Sequence, residues 1–275
     1  MSTRSGLAAL AGSFVLAVGC TGGEPEGPLD PIDPPVRRVD LRAAMGPADV
    51  SPVGVAVDPT GARFVFDEQW GLYRIGAGGV FELVMALDAM PTPSVPVRPP
   101  FTDLVAVGPD RFAITALGDG FLLDVALGTM NQYFCYVPDG LPEPYDQRTD
   151  AITYDPVARL LYAQPRTVDE NGGLIGSSIA SYSVETGRDL EWFGVPTEIA
   201  AGGMAKLPGV DGLVLGNGGE LLRFDGRVLV PFDDLRRFGV QAVAGLAVDA
   251  TAGTLLVLDG PGDALVEIEL ADLGP

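Results

Sequence analysis

Residues 54–75 read GVAVDPTGARFVFDEQWGLYRI, and the grammar of this stretch decides the fold. Gly54 to Asp58 is a short apolar strand that ends at Asp58-Pro59, where proline presets the φ of a type I or II turn. A second apolar strand, ARFVF, follows at once. The polar run DEQW then returns the chain into a third strand, GLYRI. Short apolar runs divided by turn residues describe an antiparallel meander.

Working outward, the same grammar returns four times. The first strand reappears as Leu104 to Gly108, Ala151 to Asp155, Gly203 to Leu207 and Gly245 to Asp249, with successive starts 50, 47, 52 and 42 residues apart. That spacing holds four short strands and their turns. Turns follow at Gly108-Pro109, Asp155-Pro156 and Leu207-Pro208. Second strands are RFAITAL, RLLYA, GLVLG and TLLVL, and third strands are GFLLDV, SIASYSV, ELLRF and ALVEIEL. Fourth strands VFELVMAL, NQYFCYV, DLEWFGV and RVLVPF complete the first four units, but the fifth runs out of chain after ALVEIELADLGP. Its missing strand stands at the other end, at Val36 to Leu41, where pairing beside the last unit closes a ring and removes open edges. The expected architecture is all-β: a β-propeller of five four-stranded blades over residues 36–275, closed by the amino-terminal strand. Six blades follow instead if the longer third unit hides merged strands.

An apolar fraction of 47% with 20% charged residues is ordinary for a globular protein. The formal charge is −20, and loss of Arg4 with a signal segment takes it to −21. Such a surface repels nucleic acid and anionic headgroups and favours cations or basic proteins; acidity also keeps an exported domain soluble. There is no histidine, which removes the commonest general base and transition-metal ligand and with them His-dependent triads and zinc-hydrolase sites. Lys206 is the one lysine, so any Schiff-base chemistry would rest on it. No serine sits in a nucleophile elbow, and no glycine-rich loop has the strand-to-helix setting that phosphate binding needs. Of the two cysteines, Cys135 lies in the run YFCYV and reads as a buried strand thiol. A monomer is expected.

At the amino terminus Arg4 precedes the apolar run GLAALAGSFVLAVG (6–19), which is too short to span a bilayer and reads as a signal core. The run ends in Ala17-Val18-Gly19-Cys20, which resembles the lipobox of bacterial lipoproteins. The resemblance implies that residues 1–19 are removed, that the Cys20 thiol carries a diacylglyceryl group and that the new amine is acylated. Several acyl chains hold a protein where one holds it only marginally, and lipidation of Cys20 rules out an internal disulfide. Ordinary secretory cleavage after Gly19 is the alternative. Residues 21–35, TGGEPEGPLDPIDPP, offer nothing to bury and read as a semi-extended tether. Thr21 stands where an aspartate would imply retention at the inner membrane, so the resemblance points to the cell envelope at the outer membrane.

The unit at 54–75 resembles the NHL and gluconolactonase-like propellers, whose blades read as an apolar strand, an Asp-Pro turn, a second strand ending in Asp and a strand ending in Arg-Ile. Gly245 to Ile268 echoes it more faintly. In a propeller the residues just before each first strand ring one mouth of the central channel; here they are Val53, Asp103, Asp150, Gly202 and Ala244. Adjacent blades repeat Thr102-Asp103 and Thr149-Asp150, and the hairpins after the second strands add Asp67, Asp119, Asn217 and Asp259 to that face. Hard oxygen ligands suit Ca2+, which makes Asp103 and Asp150 candidate metal ligands. The alternative is that both accept backbone N–H groups where their strands begin. Gluconolactonase-like enzymes hold a metal here with a Glu, Asn and Asp set, whereas this chain has Val53 and Gly202 at two of the five positions. The third unit has the longest hairpin, QPRTVDENGGLIGSS from Gln164 to Ser178, with Asp169, Glu170 and Asn171 at its tip as binding candidates. A merely solvated loop is the alternative. Trp70, beside Gly71, reads as a core residue in preference to an exposed stacking surface. The function expected is a surface-anchored, non-catalytic propeller that binds or scaffolds a protein or glycan of the cell envelope; a metal-dependent lactonase-like hydrolase is the alternative.

Overall fold

The computed structural model describes residues 36–46, 49–93, 97, 100–135, 146–169 and 173–274, with backbone alone at 135, 146 and 147. It opens with strand β1 (Arg37–Asp40) and a one-turn helix α1 (Leu41–Met45). Blade 1 is β2 (Pro52–Val57), β3 (Arg63–Asp67), β4 (Gly71–Ile75) and β5 (Phe81–Ala86). Blade 2 is β6 (Phe101–Gly108), β7 (Arg111–Ala116), β8 (Asp119–Asp124) and β9 (Thr129–Cys135). Blade 3 is β10 (Asp146–Asp155), β11 (Leu160–Val168), β12 (Leu174–Ser183) and β13 (Asp189–Gly194). Blade 4 is β14 (Gly203–Ala205), β15 (Leu213–Asn217), β16 (Glu220–Phe224) and β17 (Leu229–Asp234). β18 (Val243–Asp249), β19 (Thr254–Asp259) and β20 (Ala264–Glu269) belong to blade 5.

Four sheets run in simple chain order, and the fifth has the order β1-β20-β19-β18, so the amino-terminal strand is the outer strand of the last blade. It pairs antiparallel with β20, from Arg37 opposite Glu267 to Asp40 opposite Ala264. Inner strands pack in sequence, β2 on β6, β6 on β10, β10 on β14, β14 on β18, and β18 back on β2. This is a closed five-bladed β-propeller, and the longer third unit is one blade with long strands rather than two. The ring is tight at its axis: a Cβ on Gly54 would lie 2.5 Å from the Leu104 amide nitrogen, and one on Gly203 would lie 2.6 Å from that of Leu246.

Five apolar clusters fill the five spaces between neighbouring blades. The one between blades 1 and 2 is the most aromatic, with Phe64 edge-on to Phe112 at 4.8 Å and Phe66 edge-on to Phe101 at 5.0 Å. At the closure, Leu41 is fully buried in the cluster between blades 5 and 1. Three arginines fix the closing strand in an otherwise acidic protein: Arg37 pairs with Glu267 (3.4 Å), Arg38 with Asp259 (2.7 Å) and Arg42 with Asp263 (2.6 Å). Arg63 of β3 reaches across to Asp249 (2.8 Å) and Glu267 (2.9 Å), tying blade 1 to blade 5.

One expected loop is mostly strand. The hairpin from Gln164 to Ser178 continues the β11–β12 ladder, with Arg166 opposite Ser177, Thr167 opposite Gly176 and Val168 opposite Leu174. β10 lengthens with it, pairing Asp146 to Val168 and Thr149 to Pro165. Three strands extend together, so the polar residues decorate a ribbon instead of a solvated loop.

Candidate functional site

The first strand of each blade begins at the end of the propeller where the second strand finishes, so the inbound loops and the hairpins after the second strands share one mouth. In four blades the pairing of first and second strands slips at this point: between Pro52 and Gly54, Phe101 and Asp103, Thr149 and Ile152, and Val243 and Gly245. Such bulges re-aim side chains and sharpen local twist. They decide where the acidic residues of the mouth point.

Asp103 is fully buried. One carboxylate oxygen accepts the N–H of Leu104 (2.8 Å) and the other accepts that of Ile152 in the next blade (2.9 Å). Burial pushes its carboxyl well above the usual carboxylate range, against the opposite pull of those two N–H groups. Beside it the Thr102 hydroxyl donates to the Thr149 carbonyl, again across the blade boundary. Asp150 takes another direction, into an ion pair with Arg166 of β11. Burial raises its carboxyl as well, while Arg166 draws it down.

These residues do not fit a calcium ion. Both oxygens of Asp103 already accept backbone N–H bonds, and the Asp150 carboxylate is held by a guanidinium that would repel a cation. No cluster of three or more Asp, Glu or Cys side chains placed to hold a metal occurs among the described residues. The two carboxylates expected to share a cation are instead separate structural acceptors.

The hairpin acids serve the same end. Asp67 is fully buried and accepts the N–H groups of Ser51 (2.6 Å), Gln69 (2.9 Å) and Trp70 (3.0 Å), strapping the hairpin of blade 1 to its inbound loop. Asp259, equally buried, accepts from Gln241 (2.9 Å) and Ala242 (3.1 Å) while pairing with Arg38. Asp119 is half-buried and accepts from the Gln132 side chain at 2.9 Å. Asn217 is half-buried opposite Glu220. Asp169 accepts the Gly173 N–H at 2.7 Å and so closes the third-blade hairpin. Glu170 and Asn171, like Cys20, lie outside the described residues.

Gln164 does comparable work that its place in the sequence does not announce. It is fully buried, donates to the Ser177 hydroxyl (3.0 Å) and the Ile199 carbonyl (2.9 Å), and accepts the Ala201 N–H (2.8 Å), joining blade 3 to the loop that enters blade 4. Its only sequence signal is a glutamine and an arginine two apart at the end of an apolar strand.

Trp70 departs from the core position expected of it, since 43% of its surface is exposed. Phe66 and Leu72 fill the core on either side of the hairpin. The indole N–H donates to the Asp49 carbonyl at 2.9 Å, its own carbonyl accepts from Leu87 at 3.0 Å, and Asp67 holds its amide. Gly71 follows with φ +116°, where any Cβ would stand 2.2 Å from the Met85 carbonyl oxygen. The ring is therefore exposed on a backbone fixed from several sides.

Fold and mouth together define the class, a five-bladed β-propeller whose mouth acids are structural straps. No protein-family model and no curated protein sequence matches the chain. Among solved structures, the extracellular domain assigned to a hybrid two-component system of B. thetaiotaomicron is similar at 12% identity and a TM-score of 0.46, over 80% of this chain and 27% of that one. A second structure of that extracellular domain, described as a one-component system, gives 12% and 0.47 over the same shares. The chain thus spans about a quarter of the length of these two proteins. A chain of the mitotic checkpoint complex is similar at 10% identity and a TM-score of 0.45, over 90% of this chain and 99% of that one. No helix among the described residues is long and apolar enough to cross a membrane.

Proposed function

We propose that this protein is a cell-envelope lipoprotein, lipidated at Cys20, whose propeller binds a protein or glycan through the mouth that carries Trp70. The observation that carries this reading is the exposed Trp70 ring on a hairpin pinned by Asp67, Asp49 and Leu87. A rigid aromatic surface contributes large contact area at little loss of conformational freedom, and such residues dominate binding energy where they meet a partner. The polar Glu68 and Gln69 beside it would form the rim of the contact. With a formal charge of −20 over the whole chain, the protein attracts basic partners in preference to acidic ones.

Envelope polysaccharides on an array, and purified envelope proteins in a titration, supply the test. Trp70→Ala is expected to weaken the binding found by at least about tenfold, as truncation of a central aromatic does, in a protein that still unfolds cooperatively well above the assay temperature. Binding that ignores Trp70→Ala removes this face as the binding surface. Hydrolysis of a lactone panel that vanishes with a chelator and returns with added divalent cation would replace the binding reading by a hydrolase.

A further inference from the structure

Among the described residues, the five most exposed large apolar side chains are Val157 (92%), Leu127 (74%), Val80 (67%), Leu190 (53%) and Val228 (53%). They occupy one end of the propeller. Val80, Leu127 and Val228 sit in the hairpins between third and fourth strands of blades 1, 2 and 4; Val157 lies in the turn between β10 and β11; and Leu190 is the second residue of β13. Every one of these positions is at the end remote from Trp70, whereas the next in exposure, Ile175 (50%), stands at the Trp70 end in the β11–β12 hairpin. Each tip is apolar where the fold asks for nothing apolar, and four blades repeat the feature.

The chain itself comes into the fold at this same end. β1 starts beside the close of β20, with Arg37 opposite Glu267, and finishes at the Trp70 end, with Asp40 opposite Ala264. Val36 therefore precedes the strand on the side of the apolar tips. Several charged groups there are held within their own hairpins. Arg159 pairs with Glu185 at 2.7 Å, and the carboxylates of Asp58, Asp155 and Asp225 accept the N–H groups of their own turns. Arg188 and Arg227, in the hairpins of blades 3 and 4, make no ion pair among the described residues and are free to meet lipid phosphate.

We propose that this end of the propeller is a membrane-seating face, with the five apolar tips entering the headgroup boundary of a zwitterionic bilayer. The inference rests on the lipid anchor at Cys20 proposed above. Residues 21–35 reach at most about 50 Å even when fully extended. A tether of that kind holds the domain at millimolar effective concentration over the lipid, so weak contact by each tip is enough. The overall acidity opposes an anionic surface, which is why a zwitterionic one is expected. Seating this end turns the Trp70 mouth outward.

The test uses the full lipidated chain in phosphatidylcholine vesicles with brominated acyl chains and a fluorophore on one introduced thiol. Cys135→Ala removes the other free thiol, and the label is placed through Leu127→Cys or Val228→Cys, with Gln69→Cys as the control at the opposite end. Quenching at 127 and 228 is expected to exceed that at 69 at least threefold. It should fall to the control level when the remaining tips are replaced by serine, although the protein still floats with the vesicles. Equal quenching at both ends of a vesicle-bound protein overturns the proposal, and so does a probe response that tracks protein concentration in the absence of lipid. Failure of the anchor reads out separately, as no acyl mass on Cys20. In that event Cys20→Ala leaves the introduced thiol alone for labelling, and an amino-terminal histidine tag holds the protein on vesicles that carry a nickel-chelating lipid; equal quenching at 127 and 69 then overturns the face as well.

Discussion

At Asp103 a single carboxylate serves two blades, accepting one N–H from its own strand and one from β10. Removing it by Asp103→Ala leaves two buried donors without acceptors, at about 1–3 kcal/mol each, so urea melts should show a loss of about 2–6 kcal/mol. Its titration gives a sign to check. An acid whose folded pKa is raised above the unfolded value of about 3.9 holds its proton longer in the folded chain. The associated stability is full below about pH 4 and is lost as pH rises through the folded value. The melting temperature of the wild type relative to Asp103→Asn should therefore be most favourable near pH 4 and decline toward neutrality; an advantage that grows with pH contradicts the assignment. The Thr-Asp pair repeated at 102–103 and 149–150 was legible as a matched feature of adjacent blades, and Asp103 does touch the neighbouring blade. The divergence of Asp150 was not legible, because the bulge in β10 spans Thr149 to Ile152 while that in β6 spans Phe101 to Asp103, and register slips of this kind leave no mark in residue type. Trp70 was misplaced for a similar reason. Its neighbours Phe66 and Leu72 take the core positions, and only their pairing in β3 and β4 shows it.

At the scale of elements, β1 was readable from arithmetic alone: four units supplied four strands, the fifth supplied three, and the surplus strand lay at the other end of the chain. What fastens it was less visible. Arg37, Arg38 and Arg42 find Glu267, Asp259 and Asp263 only once β20 and its hairpin are in place. Leu41, buried behind them, should cost about 2–5 kcal/mol when replaced by alanine, which for a domain of this size is a fall of roughly 4–20 °C in melting temperature. Deleting 36–41 should lower the midpoint further still, and deleting 21–35 should leave it nearly unchanged; equal midpoints for the two deletions would mean that closure does not depend on β1. The extension of blade 3 was hidden because Pro165 and the paired glycines 172–173 read as turn chemistry. Strand formation there depends on β10, β11 and β12 lengthening together, a cooperation that inspection of one segment at a time does not reveal.

Over the whole molecule the two ends of the propeller differ in kind. One end gathers buried carboxylates that strap hairpins to inbound loops and leaves Trp70 exposed; the other carries exposed aliphatic tips and receives the chain at Val36. Repeat length, turn residues and strand count made the ring legible, since five units of similar grammar have few ways to bury their apolar faces. The ligand was not legible. Binding faces lie on loops whose geometry follows from the completed ring, and here the acids that drew attention in the sequence are engaged in holding that ring together. A propeller proposed to work at a membrane through a lipid anchor depends on Cys20. Growth with labelled fatty acid, followed by membrane fractionation of the wild type and Cys20→Ala, tests this most directly. The label and the membrane location should belong to the wild type alone, with Cys20→Ala in the soluble fraction; a Cys20→Ala protein that stays with the membranes, or a wild type that takes up no label, would contradict it.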